Sequence, residues 1–272
     1  MRALLLALLL LPGLALAQDP PAPRPMAPAE ERPAPRPAAE PAVPAARPEP
    51  QGETPGPEAP KPQEGQPAPE PVEPAGPPVH TTLRESDFDH SACLLELTLL
   101  GADYAPQAPL TDPDQPDCGI DRPILLHAPL PGIEIPGGAP MRCDTARQLA
   151  HWLRDFVRPA SALLPGQPRL MALEPGSTYQ CRATVGNDGT GLSEHAFGNA
   201  FDIAAFRFDD GSRFAVEPRA DKGDLAEAFQ RAVRGAACLY FTTVLGPGAN
   251  AAHDNHLHLD IKARRGGWRL CQ

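Results

Sequence analysis

Two short stretches of the chain, SEHAFGNAFD at residues 193–202 and HDNHLH at residues 253–258, hold four of its eight histidines. The first stretch contains His195 and the carboxylate of Asp202, and the second contains three histidines. Two histidines and a carboxylate are a ligand set typical of zinc sites that keep the fourth position open. An open position is what metal-assisted hydrolysis needs. The two stretches therefore predict a zinc site split between distant parts of the chain.

Alternating apolar residues predict that each half of this site lies on a β-strand. Phe201 and Ile203 alternate with other residues in a predicted strand over 200–208. Leu257 begins the same pattern in a predicted strand over 257–261. Apolar side chains on one face of a strand anchor it to the core, which leaves the polar side chains on the other face. Both halves of the site should therefore be fixed to the core of the domain.

The spacing within each stretch allows the polar side chains to converge. Gly198 lets the chain turn, so that His195 and Asp202 can face one metal ion. His256 and His258 are two residues apart and therefore share a face of their strand. One of these histidines can bind the metal while the other faces the open position.

The rest of the chain from residue 81 onward predicts an α+β fold. Apolar residues at helical spacing predict helices over 142–157 and 225–237, and we expect a short helix containing Cys93 within 86–104. Residues rich in Pro, Gly and Asp predict irregular structure over 105–140. Further strands are expected at 123–126, 169–173, 177–183 and 213–216. Because helices and strands do not alternate regularly, we predict a small, mostly antiparallel sheet with flanking helices.

The N-terminal third has a different composition. Residues 1–17 combine a basic start, a run of leucines and the small-residue pattern Ala-Leu-Ala, which predicts a secretory signal peptide. Residues 18–80 are dominated by Pro, Ala and Glu and predict a disordered, semi-rigid linker. Residues 81–272 should form one domain. We therefore expect an exported, periplasmic or wall-associated protein with no membrane span after the signal is removed.

All the cysteines lie in the predicted domain. An even number of cysteines in an exported domain predicts three disulfides among Cys93, Cys118, Cys143, Cys181, Cys238 and Cys271. None of the spacings is CxxC, so we do not expect a structural zinc cluster. Six cysteines allow 15 pairings. Closeness in sequence favours Cys93 with Cys118 and Cys238 with Cys271.

The charge pattern excludes one class of partner. The formal net charge is −10, and the one basic run in the domain is Lys262-Ala263-Arg264-Arg265. Nucleic-acid-binding domains carry a basic face, so no nucleic acid is expected as a partner. We interpret the basic run as a solvated strand end.

The motifs resemble those of known families. SxHxxGxAxD is similar to the first metal motif of zinc D-Ala-D-Ala carboxypeptidases and murein endopeptidases, whose wider group includes lysostaphin-type enzymes and the hedgehog signalling domain. HxxHxH at residues 253–258 resembles the motif of penicillin-insensitive murein endopeptidases. The run from Tyr179-Gln180-Cys181-Arg182 through His195 to the histidine-rich end also resembles bacterial proteins of the extensin-like C-terminal domain family, over residues 88–271.

The peptidase resemblance implies a hedgehog-like or D-Ala-D-Ala-peptidase-like fold and a role for each motif residue. It implies Zn²⁺ bound by His195, Asp202 and His258, with His256 as general base. Arg182 would steady the scissile carbonyl. Ser193 would support the ligands, and His253 would contact substrate or relay a proton.

One departure from the family pattern leaves an alternative open. Many relatives have Glu or Asp where this chain has His253, so a frame with His256 as the third ligand is possible. The resemblance to the endopeptidase motif favours His258, because its spacing fits that motif better. Asp254 and Asp260 are candidates for orienting a ligating histidine or are surface residues, and Glu194 is expected to point into solvent.

The resemblance implies hydrolysis of a peptide bond in peptidoglycan, by a D,D-carboxypeptidase or a murein endopeptidase reaction. The alternative is a non-catalytic, zinc-containing module that binds the cell wall or has a structural role. A structural zinc site would have its fourth position closed by a protein ligand, whereas a catalytic site would keep it open.

Overall fold

The structure is a computed structural model that describes residues 76–184 and 191–272. The predicted signal peptide and nearly all of the predicted linker lie outside these residues. The boundary near residue 80 stays a prediction, and the first described helix, Val79–Thr82, lies there. Within the described ranges, every helix falls short of the length and apolar character that a membrane span requires.

The described helices are short, and most coincide with the periodic segments of the sequence. In chain order they are α1 Val79–Thr82, α2 Asp87–Leu100, α3 Cys143–Trp152, α4 Arg158–Ser161 and α5 Leu225–Ala237. Ser86 begins α2, where its side chain accepts a hydrogen bond from the backbone N–H of Asp89. The predicted helix over 142–157 is present, but its last turn, Leu153–Val157, widens into a π-helix.

The strands form three sheets. They are β1 Asp103–Pro106, β2 Leu110–Thr111, β3 Gly119–Ile120, β4 Pro123–Ala128, β5 Ala139–Arg142, β6 Leu170–Pro175, β7 Ala200–Phe208, β8 Arg213–Ala215, β9 Thr243–Leu245, β10 Leu257–Asp260 and β11 Leu270–Cys271. The largest sheet has the order β11-β9-β10-β7-β6, with β8 also paired to β7. Its pairs are antiparallel except β9 with β11. The predicted α+β class with small antiparallel sheets is therefore confirmed.

The pairing of β7 with β10 brings the two motif strands together. These strands run antiparallel, with Asp202 directly opposite His258 and Ile203 opposite Leu257. Side chains directly opposite each other on one face of an antiparallel pair lie within contact distance. Residues 56 apart in sequence thus become neighbours on one sheet face.

The core behind this sheet is closed by helices α3 and α5. Trp152 at the end of α3 is fully buried, and its indole N–H donates to the carbonyl oxygen of Val233 on α5 at 3.0 Å. Phe206 of β7 and Phe241 pack against the same indole. Burial of large aromatic side chains contributes strongly to stability, so the sheet that carries the site rests on a firm base.

The predicted secondary structure was wrong in part of one segment and in the whole of another. Residues 105–140 hold the predicted strand, β4, but they also hold β2, β3 and parts of β1 and β5 where irregular structure was expected. Residues 177–183 do not form a strand, and only Ala183 makes an isolated bridge, to Leu192. The backbone of this second segment bonds instead to His195, whose carbonyl accepts from the N–H of Gln180. Its backbone groups are therefore used to hold the site.

Three disulfides link the described residues, and one of the two predicted pairs is correct. Cys238 pairs with Cys271 as predicted. The predicted Cys93–Cys118 pair is wrong, because α2 packs on α3 and places Cys93 next to Cys143. Cys118 bonds instead to Cys181. This last disulfide ties the segment that carries Arg182 to the region of β3.

Candidate metal centre

Three side chains converge at the paired strands. The carboxylate Oδ1 of Asp202 lies 2.9 Å from Nδ1 of His258 and 3.2 Å from Nε2 of His195. The two ring nitrogens are 3.2 Å apart. All three residues are buried, and their ligand atoms lie within 4.8 Å of one another. The predicted ligands therefore form one compact group that could hold a metal ion.

A tight turn places His195 at this group. Residues Glu194–Phe197 form a 3₁₀ turn, and the Ser193 hydroxyl at its start accepts a hydrogen bond from the backbone N–H of His195. Gly198 ends the turn with φ +65°, a left-handed conformation in which a side chain is strained. A Cβ at this position would also collide with Ile120. Gly198 is thus required by both the turn and its surroundings.

Hydrogen bonds on the outer side of each histidine fix its ring orientation. His195 Nδ1 lies 2.6 Å from the carbonyl oxygen of Thr178, which can only accept, so this nitrogen carries a proton. His258 Nε2 lies 3.0 Å from Oδ2 of Asp260, which is also buried. His195 Nε2 and His258 Nδ1 are therefore the nitrogens that face Asp202. Carboxylates and carbonyls in this position orient the histidines of metal sites.

Of the two aspartates that the sequence left open, Asp260 has the orienting position. Asp254 instead accepts a hydrogen bond from the backbone N–H of Gly248. The signal in the sequence for Asp260 is its place two residues after His258 on the same strand, which puts both side chains on one face.

The buried charges shift the pKa values of this group. Burial alone would raise the pKa of Asp202, but hydrogen bonds and charge from His195 and His258 hold it well below its usual value. Burial would likewise lower the pKa of His258, yet its bonds to Asp202 and Asp260 raise it to about 9. In the absence of a metal ion, His258 is therefore protonated at neutral pH and donates to both carboxylates.

His256 and His253 lie at the opening of the site. His256 Nε2 is 3.6 Å from Oδ2 of Asp202, and His256 is not in the compact group of three. The ring centroids of His253 and His256 are 5.2 Å apart. Burial and the neighbouring charge of His258 lower the pKa of His253 to about 4, and burial also lowers that of His256. Both rings are therefore neutral near pH 7.

Each of these two rings has its Nδ1 bound to a neighbouring amide. Nδ1 of His256 lies 2.8 Å from Oδ1 of Asn255, and Nδ1 of His253 lies 2.8 Å from Oδ1 of Asn250. Because an amide oxygen is an acceptor, Nδ1 carries the proton in each neutral ring. Nε2 of each ring is left with a lone pair.

These histidines line a groove together with His258 and two other predicted site residues. The groove has a volume of about 400 Å³, and its lining includes Arg182 and Ser193. Arg182 Nε donates to Oε1 of Gln180 at 3.1 Å. Lys262 and Arg264 line the same groove. Lys262 is exposed, as expected for a solvated strand end, whereas Arg264 is half-buried.

Glu194 also differs from the expectation. It points away from the compact group, but only 11% of its side chain is exposed. Its carboxylate accepts from Asn199 Nδ2 at 2.8 Å and lies 3.1 Å from Lys262 Nζ. Asn199 in turn accepts from Arg142. Glu194 and Asn199 belong to the motif at residues 193–202, and Lys262 follows β10, which carries the end of the other motif. These contacts therefore join the two motifs at their outer edge.

Fold and site together define a class: an α+β domain with three disulfides and a buried pair of histidines beside a carboxylate. A family model described as the C-terminus of extensin-like proteins matches residues 91–272. The chain belongs to this family. Searches among curated proteins and among solved structures gave no match. The extensin-like resemblance is thus confirmed, whereas the resemblance to zinc peptidases stays a prediction.

Proposed function

We propose that this protein is an exported, zinc-dependent hydrolase that cleaves a peptide bond in peptidoglycan. The observation that carries the proposal is the compact group of His195, Asp202 and His258 with a neutral histidine, His256, at its opening. Catalytic zinc sites have three protein ligands and leave one position for water or substrate.

The donor set fits zinc. It offers two imidazole nitrogens and a carboxylate oxygen, all of them ligand types that zinc accepts. The outer nitrogen of each ring is already bound, to Thr178 in one case and to Asp260 in the other. Bound by these residues, zinc would supply Lewis acidity that lowers the pKa of water towards about 7 and polarises a carbonyl group.

His256 is suited to be the general base. Its Nδ1 proton is held by Asn255, so Nε2 is the nitrogen that can accept a proton. Nε2 faces the ligand group, 3.6 Å from Asp202. Because burial lowers its pKa, the ring is neutral and ready to accept at neutral pH. The same nitrogen can later return the proton to the leaving amine.

Arg182 is suited to stabilise negative charge on the substrate. It lies in the same groove, and its positive charge is near enough to lower the pKa values of His253 and His256 in addition to the effect of burial. The Cys118–Cys181 disulfide holds the adjacent residue. A fixed cation is effective where an oxyanion develops, because little reorganisation is needed during the reaction.

The test is a digest of purified peptidoglycan. Zinc-loaded wild type, His256→Ala and His127→Ala are compared by mass spectrometry of the released muropeptides. His127 is an exposed histidine on β4 and is the matched control. We expect wild type and His127→Ala to cleave one type of amide bond and His256→Ala to be slower by about 100-fold or more.

Zinc content separates loss of the base from loss of the metal. His256→Ala should keep its zinc and His258→Ala should lose it. If wild type leaves every muropeptide unchanged while it retains zinc, hydrolysis is wrong and the non-catalytic wall-binding module is favoured instead.

A further inference from the structure

The groove beside the candidate metal centre has a basic wall that the proposed reaction does not use. The chain leaves β10 after Asp260, and Lys262 and Arg264 then line the same groove as His253 and His256. Neither basic residue belongs to the motifs at residues 193–202 and 253–258. Their position makes them candidates for binding a group of the ligand away from the reacting bond.

The acidic side chains that line this groove are already bound by protein groups. Glu194 is paired with Lys262 and Asn199. Asp260 is bonded to His258 and to the backbone N–H of Lys262. Arg264, by contrast, has no carboxylate partner among the residues that the structure describes. A positive charge facing a groove without a partner favours a negatively charged ligand.

Arg264 is also held in a fixed position. One of its terminal nitrogens donates to the carbonyl oxygen of Thr242 at 2.9 Å, and the other donates to Oγ1 of Thr243 at 2.6 Å. Its guanidinium lies over the ring of Trp268, 4.7 Å from the centroid. A guanidinium has five N–H donors, and these two bonds leave three. The remaining donors can bind a planar carboxylate without a further loss of side-chain freedom.

Arg264 is placed close to the candidate metal centre by the strand pairing. Thr243 lies opposite Asp260 in the β9–β10 pair, and Asp260 bonds His258. The hydroxyl that receives Arg264 therefore belongs to the strand that adjoins the ligand strand. A ligand bound at Arg264 would extend along the groove from the candidate metal centre.

We infer that the substrate of this site is an acidic peptide, with a free carboxylate bound by the guanidinium of Arg264 while the bond to be cleaved lies at His256. This inference rests on the proposed function and adds the substrate class. Arg264 is thus a specificity-determining residue, and uncharged peptides of the same length are poor ligands.

Binding of muropeptides tests the inference separately from cleavage. The probes are soluble muropeptides, before and after their free carboxylates are converted to amides. Their affinities are measured by calorimetry on zinc-loaded His256→Ala, which is used so that the probe stays intact. Arg264→Ala and Arg264→Gln are added to this background, with Arg265→Ala as the matched control, because Arg265 is exposed and does not line the groove.

We expect the unmodified muropeptides to bind at least about tenfold more tightly than the amidated ones, as for a hydrogen-bonded charge pair. Both Arg264 variants should remove this difference, whereas Arg265→Ala should keep it. Zinc content of the Arg264 variants should match that of the background, which shows that the ligand group is intact, while loss of the bonds to Thr242 and Thr243 should lower their melting temperature.

Equal affinities for the two probes, or a difference that persists without Arg264, would overturn the inference. If wild type cleaves muropeptides but shows no preference for free carboxylates, the substrate class is wrong and the proposed hydrolysis stands. If the preference is present and lost with Arg264 but no bond is cleaved, the hydrolysis is wrong and the anionic ligand stands. If neither probe binds, the anionic ligand is wrong, and the digest of peptidoglycan decides the hydrolysis separately.

Discussion

Metal uptake by this protein should release a proton from His258. His258 lies between Asp202 and Asp260, whose bonds raise its pKa to about 9 against the opposing effect of burial. Nδ1 must lose its proton before its lone pair can bind a metal ion. The affinity for the metal ion should therefore depend on pH.

The size of the effect follows from this pKa. At about pH 7.5 the ring is almost fully protonated when no metal is bound, so uptake should release about one proton. Apparent affinity should fall about tenfold, or about 1.4 kcal/mol, for each pH unit below 9. Because the folded-state pKa lies above the ordinary value of 6.5, this proton stabilises the metal-free fold fully below pH 6.5. That stabilisation is lost as pH rises through about 9.

Calorimetry in two buffers with different ionisation enthalpies measures the number of protons released. Asp260→Asn is the matched variant, because it removes one carboxylate from His258 without removing a ligand. We expect this variant to release fewer protons at pH 7.5 and to show a shallower dependence of affinity on pH. Tight metal binding by wild type without proton release would show that His258 is not a protonated ligand of the metal-free protein.

Three further outcomes are expected. Replacing Cys93 and Cys143 together with serine should lower the free energy of unfolding by about 2–5 kcal/mol, measured by urea denaturation, because the α2–α3 disulfide is lost. Gly198→Ala should lower both melting temperature and zinc affinity, since its Cβ would strain the turn and strike Ile120; an unchanged zinc affinity would contradict the role given to this turn. Trp152→Ala should cost about 3–5 kcal/mol of stability, and circular dichroism melts that show no loss would contradict the core described for α3 and α5.

The sequence predicts the strands that carry Asp202 and His258 because these strands follow from local patterns. Asp202 lies between the apolar residues Phe201 and Ile203, and His258 lies between Leu257 and Leu259. This alternation fixes the face of the strand on which each polar side chain lies. Helix α5 is also predicted at its observed bounds, since its apolar stripe has helical spacing. Residue type and period were sufficient for these elements.

The remaining features depend on contacts between distant segments. The segment at 177–183 has strand-like composition, but its backbone bonds to His195, which no local pattern shows. The pairing of Cys93 with Cys143 follows from the packing of α2 on α3. Arg264 looks like part of a solvated basic run until β9 and β10 pair and bring Thr243 beside it.

Zinc binding by His195, Asp202 and His258 is tested most directly by a crystal structure of zinc-soaked protein with anomalous data on both sides of the zinc absorption edge. We expect one strong peak about 2 Å from His195 Nε2, His258 Nδ1 and a carboxylate oxygen of Asp202. His256 should not ligate the ion. A peak held by other residues, or no peak at this group at saturating zinc, would contradict the central claim.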